Sequence, residues 1–347
     1  MILSERIEAL AYLGQYLSDA PDENLLIAMR RSEAANGWFT PANIQNALEA
    51  IRYAFLDQSK LIAWSNHYNI DNQSITPSKI VGLVLAGNIP LVGFHDIVCV
   101  FIAGHKAKVK LSEKDKYLLP HLLRVMAEKY PATAAYFETT EGFLQPFDAV
   151  IATGSNNSAR YFESYFGKYP NIIRKNRNAV AVLTGFETEQ ELNALGKDVF
   201  QYYGLGCRNV SKLYLPRDYD FVPLLTALHE YNAVVMNHKY KNNFDHNYSL
   251  LILNRVDYKA NGCILMSENQ GIASPIACLY YEYYDDFKIV TSQLATRQDV
   301  IQLAISKQKI GNIPTFDFGA AQAPTLSDYA DGVDVMDFLT HQLPKIL

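Results

Sequence analysis

Cysteine is scarce in this chain: four occur in 347 residues, at 99, 207, 263 and 278, and no two stand in a Cys-x-x-Cys pair. That argues against a disulfide frame and makes a reducing compartment the expected one. Positive charge is not concentrated either. Lys plus Arg total 31 against 36 Asp plus Glu, and no basic run of five or more occurs, so nucleic acid is not the expected partner. Neither a Gly-x-Gly-x-x-Gly turn after a strand nor a P-loop is present. His238 and His246 lie in an Asn-rich stretch without ligand spacing, so no metal site is expected. The opening MILSERIEAL lacks a charged segment followed by an apolar core, which predicts no secretory signal and a cytoplasmic location. Ile80 to Gly104 contains no Lys or Arg, yet Asn88, Pro90, His95 and Asp96 interrupt any run of the ~20 apolar residues that a membrane span needs.

Hydrophobic residues make up 49% of the chain and charged residues 19%, enough for a large core that divides into two domains. The organising stretch is KIVGLVLAGNIPLVGFHDIVCVFIAGHKAKVKLSE. Ile80–Leu85 reads as a strand, Pro90 as a helix start, Gly104 as its end, and Ala107–Leu111 as a second strand, the pattern of a βαβ unit. Residues 1–56 read as helical: Leu10, Leu13, Tyr16 and Leu17 share one face, Ile44, Leu48, Ile51 and Phe55 another, and Thr40-Pro41 is a helix start. Asn66–Ser78 is a polar connector. A helix is expected over 116–130, a strand over Phe147–Ala152, and a helix after Thr153-Gly154-Ser155. Further on, Asn178–Leu183 reads as strand, Glu189–Tyr203 as helix and Ser211–Leu215 as strand. Strands are then expected at Ser249–Asn254, Cys263–Met266, Pro275–Tyr283 and Lys288–Thr291, with helices over 295–308 and near 325–340. Alternating elements predict an α/β fold with a parallel sheet.

Cys207 is the sharpest chemical candidate. It follows Gly204 and Gly206 at a helix-to-strand junction, and Arg208 beside it would favour the thiolate. A buried inert thiol is the alternative, and it is the better reading of Cys99, Cys263 and Cys278. Asn88 reads as a helix cap or as an amide donor to an oxyanion. Thr153-Gly154-Ser155 before a helix would present free backbone N–H groups to a phosphate.

Taken in order, these segments resemble the aldehyde dehydrogenase superfamily, and more closely its acyl-CoA reductase branch, which includes the fatty acyl-CoA reductase of bacterial bioluminescence. Asn88-Ile89-Pro90 is similar to the superfamily's Asn-x-Pro, and Lys110-Leu111-Ser112-Glu113 to its Lys-Pro-Ser-Glu. Thr153-Gly154-Ser155 matches a Thr-Gly-Ser turn, and Gly204-Leu205-Gly206-Cys207 a Gly-Gln-x-Cys nucleophile segment. The resemblance covers about 80 to 216; FDFGAAQAP and DYADGVD resemble the ends of acyl-CoA reductases. It departs in three places. No carboxylate stands in Arg174–Asn178, where the superfamily's general base belongs; Gly271 stands where a ribose-binding Glu is expected; and the chain is short for the superfamily.

The resemblance implies an aldehyde dehydrogenase-like α/β fold: a Rossmann-like cofactor domain over 1–177, a catalytic domain over 178–312, and a segment over 313–347 returning to the first. It implies Cys207 as nucleophile and Asn88 as oxyanion donor, with Lys110, Ser112, Glu113, Thr153, Gly154 and Ser155 around the cofactor. The expected cofactor is NADPH, with NADH open. The expected substrate is an acyl-CoA or acyl-carrier thioester, reduced to the aldehyde. An ordinary aldehyde dehydrogenase and a non-catalytic binding protein are the alternatives, and Glu268 and Glu282 are the carboxylates that would replace the missing base. Oligomeric state is left open, a homo-oligomer included. If Glu113 borders the adenosine ribose, its charge repels a 2′-phosphate. Glu113→Gln is therefore expected to raise NADPH use relative to NADH in steady-state kinetics, and an unchanged ratio would place Glu113 away from the 2′ position.

Overall fold

The computed structural model describes residues 1–68, 70 and 79–343, so most of the connector expected at Asn66–Ser78 lies outside the described residues. The chain divides into two compact units: Met1–Lys175 together with a C-terminal stretch from Pro324, and Asn176–Ala323.

The first unit begins with helices α1 (Leu3–Tyr16), α2 (Glu23–Ala35), α3 (Pro41–Phe55) and α4 (Gln58–Ser65). Side chains of Asp22, Thr40 and Asp57 accept backbone N–H groups in the first turns of α2, α3 and α4, satisfying donors that have no partner inside the helix. Leu10 and Leu13 of α1 and Ile44, Leu48, Ile51 and Phe55 of α3 are buried in one core. Next come β1 (Ile80–Val84), α5 (Phe94–Ile102) and β2 (Lys106–Lys110), with β1 and β2 parallel, as the βαβ pattern requires. The helix starts later than Pro90 suggests. Leu91 takes a left-handed φ of 55°, which a right-handed helix does not admit, and residues 90–93 form turns instead. Then follow α6 (Leu118–Lys129), β3 (Phe137–Thr140), β4 (Ala149–Thr153), α7 (Asn156–Phe166) and β5 (Asn171–Arg174). The sheet is parallel throughout, in the order β3-β2-β1-β4-β5.

The helix expected near 325–340 is confined to 335–342. Before it, side chains of this unit hold the chain in an irregular path: a His95 ring nitrogen lies 3.0 Å from the Leu326 carbonyl, and Tyr329 Oη meets Trp64 Nε1 at 2.9 Å and Tyr68 Oη at 2.7 Å.

The second unit comprises β6 (Asn178–Val182), α8 (Glu189–Phe200), β7 (Val210–Pro216), α9 (Phe221–His229), α10 (His238–Leu253), β8 (Tyr258–Ala260), β9 (Leu265–Glu268), β10 (Cys278–Tyr284), α11 (Phe287–Ala295), β11 (Ile301–Ile305) and β12 (Thr315–Phe316). Its sheet runs β12-β11-β6-β7-β10-β9-β8, parallel except for β8 against β9. Three expectations fail here. Ser249–Asn254 is no strand: nearly all of it belongs to α10, which buries Tyr240, Phe244 and Asn247 at helical spacing and leaves Leu253 77% exposed. Lys288–Thr291 lies in α11, capped by Asp286 and buried through Val290 and Leu294. The helix expected over 295–308 gives way to β11, an interior strand with all five residues buried, Gln302 included, as in a parallel strand covered on both faces.

One ion pair inside the first unit is nearly dry. Arg174, at the end of β5, donates to both oxygens of Asp96 in α5 at 2.6 and 2.9 Å, with side chains 7% and 5% exposed. Removing one partner leaves the other charge buried, which typically costs about 3–5 kcal/mol, whereas an apolar replacement of both is often neutral. Asp96→Asn is therefore expected to lower the urea-unfolding midpoint sharply and Asp96→Leu with Arg174→Met to restore most of it. A single variant as stable as the wild type would refute the pairing.

Candidate active site

In the five-stranded sheet β1 lies between β2 and β4, and the chain proceeds outward to β3 on one side and β5 on the other. The strand order therefore reverses between β1 and β4, the kind of switch point at whose carboxyl edge open parallel sheets bind ligands. Asn88 lies in the loop that leaves β1, Lys110 ends β2 and is followed by Ser112 and Glu113, and Thr153 ends β4 and is followed by Gly154 and Ser155. Lys110, Glu113 and Ser155 are exposed; Asn88, Ser112, Thr153 and Gly154 are half-buried.

These loops are held at close quarters. A Cβ on Gly87 would lie 2.2 Å from Ser112 Oγ and 2.7 Å from Ser112 Cβ, so only glycine lets the two segments pass. Asp115 accepts the N–H of left-handed Leu91 at 2.6 Å and so fixes the turn that follows Asn88. Burial pushes the Asp115 carboxyl up to about 6 against the pull of that hydrogen bond. Ser155 Oγ accepts the Ser158 N–H at 3.2 Å and caps α7, while a Cβ on Gly154 would come within 2.8 Å of the Phe162 ring and of Ser158 Cβ.

Cys207 lies in the second unit, on the segment between α8 and the amino end of β7. The backbone leading to it is strained: Tyr202 and Tyr203 adopt φ of 54° and 59° ahead of Gly204 at 75°. A non-glycine residue held there costs about 1–3 kcal/mol and persists only where its surroundings enforce it. Asn209 is one such enforcer. The residue is 2% exposed, and its side chain accepts the Gly206 N–H at 2.8 Å and donates to the carbonyls of Asp198 and Gln201 at 3.0 and 2.9 Å. Arg208 donates through Nε to the Ala321 carbonyl and lies 4.8 Å from the Phe316 ring centroid. Cys207 is half-buried. Burial pushes the Cys263 thiol up to about 11 and that of Cys278 to about 12, and raises Cys99 well above its ordinary value, which disfavours the thiolate in all three.

The two alternative carboxylates are elsewhere. Glu282 pairs at 2.6 Å with Lys212, a fully buried lysine that also donates to the Asn269 carbonyl. Burial lowers the Lys212 pKa, and Glu282 opposes that shift. Glu282 is level with Tyr214, about 13 Å along β7 from Val210 at the usual strand rise. Glu268, exposed at the end of β9, aligns with Tyr281 and through it with Leu213. Neither stands at the Cys207 end of β7. Sequence reasoning missed Asp115, Asp198 and Asn209. Asp198 carried a readable signal, a negative charge in the last turn of a helix, where the dipole disfavours it. Asn209 carried none, because its partners are backbone atoms. Asn209→Ala strands the Gly206 N–H and two carbonyls; the expected loss is about 1–3 kcal/mol for each polar group left buried and unpaired, read as a lower urea midpoint, and an unchanged midpoint would refute this role.

No protein-family model matches the sequence, and no curated protein does. Solved structures do match. Aldehyde dehydrogenase 21 from Physcomitrella patens, in complex with the reaction product succinate, is 12% identical with a TM-score of 0.67, and the match covers 99% of this chain and 85% of that one. The Mycobacterium tuberculosis aldehyde dehydrogenase complexed with NAD+ is 15% identical with a TM-score of 0.63, covering 88% and 73%. The aldehyde dehydrogenase KauB from Pseudomonas aeruginosa is 12% identical with a TM-score of 0.64, covering 89% and 72%. Identities this low speak to architecture alone, and the architecture they show is that of this mixed α/β chain: it has the aldehyde dehydrogenase fold.

Proposed function

We propose that this chain is an acyl-CoA reductase, converting an acyl thioester to the aldehyde. The Cys207 thiolate attacks the thioester carbonyl and expels CoA, leaving the acyl group on sulfur. The resemblance assigns the Asn88 amide and the Cys207 backbone N–H to the oxyanion, and losing one such donor typically costs ~3 kcal/mol of barrier. The carboxyl edge of the five-stranded sheet fits a dinucleotide: a switch point, a capped helix N-terminus behind Gly154, and loops drawn together at Gly87. Lys110, Ser112 and Glu113 would hold its adenosine ribose, with Thr153, Gly154 and Ser155 near the pyrophosphate. Bound there, a nicotinamide cofactor would supply a hydride to the acyl carbon, and cleavage of its bond to the Cys207 sulfur would release the aldehyde and regenerate the thiolate. NADPH is the expected form and NADH the other; the negative charge of exposed Glu113 favours NADH.

The observation that carries the reductase reading is Arg174. In the stretch where the resemblance places a general-base carboxylate stands a guanidinium, buried against Asp96. Hydrolysis of a thioacyl enzyme needs an activated water, and general-base assistance is worth ~10²–10⁴-fold. Transfer to CoA does not, since its thiol is already partly ionised near neutral pH. The second reading, an ordinary NAD(P)-dependent aldehyde dehydrogenase, is favoured by the similar structures, which carry that name and include NAD+ complexes. A reaction run backwards with aldehyde and NAD(P)+ separates the two. Acyl-CoA is expected to form much faster than free acid, and Cys207→Ala to abolish turnover while NAD(P)H binding persists. Free acid forming equally fast without CoA would promote the dehydrogenase reading, and full activity in Cys207→Ala would remove the mechanism.

A further inference from the structure

Asp198 is wholly buried, in the last turn of α8, where the helix carbonyls disfavour a negative charge. Each of its oxygens accepts one backbone N–H from a single turn of this unit: Oδ2 from Gly319 at 2.7 Å, Oδ1 from Ala321 at 2.9 Å. The turn passes tightly over α8. Gly319 has a left-handed φ of 83°, and a Cβ there would lie 3.1 Å from Ala194 Cβ. The Ala321 carbonyl in turn accepts the Arg208 Nε–H, and the guanidinium faces the Phe316 ring. On the other side, the main-chain carbonyl of Asp198 accepts from Asn209, whose side chain holds the Gly206 N–H. One residue thus ties down the backbone before and after Cys207, through Asn209 by its main chain and through Ala321 and Arg208 by its side chain.

We propose that Asp198 is a positioning residue for the Cys207 segment: ionised, it holds the Gly319–Ala321 turn in the arrangement whose Ala321 carbonyl anchors Arg208, and so fixes the residue next to the thiol. The proposal rests on the reading of Cys207 as nucleophile. Two amide donors on two separate oxygens suit a carboxylate, and hydrogen bonds to an ionised acceptor are roughly twice as strong as neutral ones. The charged and titratable groups that act on or respond to Asp198 include Lys197, Arg208 and Tyr231. Burial raises its carboxyl to about 6, against the two backbone hydrogen bonds and the smaller pull of Lys197 and Arg208. The sign follows from that rise. The protonated form is the one that favours folding, so this group's contribution to stability is full below the ordinary carboxylate value and is lost as pH rises through about 6. The ionised carboxylate is therefore kept at neutral pH against the preference of the fold, as happens at functional sites. Below that range the turn loosens and the Arg208 anchor weakens, while the fold as a whole does not.

Iodoacetamide labelling of Cys207 in the full chain, quantified by peptide mapping, tests this without any acyl-CoA turnover. Labelling near neutral pH in Asp198→Asn and in Arg208→Lys, which keeps the charge but lacks the Nε–H, is expected to fall about tenfold, the change in thiolate fraction for one unit of thiol pKa. In the wild type, amide hydrogen exchange over 316–323, corrected for its intrinsic pH dependence, is expected to lose protection below about pH 6, following the Asp198 carboxyl, while the urea midpoint does not fall in step. Wild-type labelling rates in both variants, or protection of the turn that is constant from acid to neutral pH, would overturn the proposal. Should Asp198→Asn fail to fold, Arg208→Lys and the wild-type exchange profile decide it. A chain that shows the labelling and exchange effects but no thioester reduction loses the proposed function and keeps this device.

Discussion

The parallel pairing of β1 with β2 on one side and β4 on the other is the constraint from which the first unit follows. Parallel neighbours cannot be joined by a tight turn, so each connection must climb over the sheet, and here α5 provides the crossover between β1 and β2. Every strand then ends at the same edge. Asn88, Lys110 and Gly154 lie far apart in sequence, yet each stands at or just beyond the carboxyl end of a neighbouring strand. A chemically useful edge is thus a by-product of strand direction, and glycines at 87 and 154 let the connecting segments approach one another and α7 without a side chain between them.

Buried carboxylates have a recurring task in this protein. Asp115 accepts the N–H of Leu91, and Asp198 that of Gly319; both donors sit at left-handed backbone positions. Left-handed turns expose N–H groups that no helix or strand can satisfy, and an interior carboxylate meets them more strongly than a neutral acceptor would. Both carboxyls are pushed up to about 6 by burial, so each clamp weakens in the same mildly acidic range. One clamp lies beside the Asn88 turn and the other beside the Cys207 segment, each within its own unit. The Asp96–Arg174 pair differs in kind, since there two buried side chains of opposite charge neutralise each other.

That pair also bears on chemistry. A guanidinium stands where the resemblance places a base, and Glu282 is paired with Lys212; the proposed thioester reduction is built on these two observations. The Cys207 segment follows left-handed Tyr202 and Tyr203 and is held by Asn209 rather than by a regular element. Reactive groups are commonly supported in this way, because a regular helix or strand would turn their backbone N–H groups inward.

The sequence by itself determined the local elements with strong periodicity: α1 and α3 through their apolar faces, the start of α3 through Thr40-Pro41, and the βαβ unit through two apolar runs bracketing a helix. It also determined which residues deserved attention, since Asn88, Lys110, Thr153 and Cys207 stand in an order that carries a resemblance. Tertiary structure alone decided the rest. Leu250–Leu253 and Ile301–Ile305 are both short, mostly apolar stretches, yet the first ends a helix and the second is an interior strand. Periodicity over so few residues does not separate the two, and what lies on either side of the run does. The partners of Asp115, Asp198 and Asn209 were illegible for a related reason, although the charge of Asp198 in the last turn of α8 marked the residue itself. Each acts on backbone N–H or C=O groups, which every residue possesses, so no pattern of side chains announces the partner before the chain has folded.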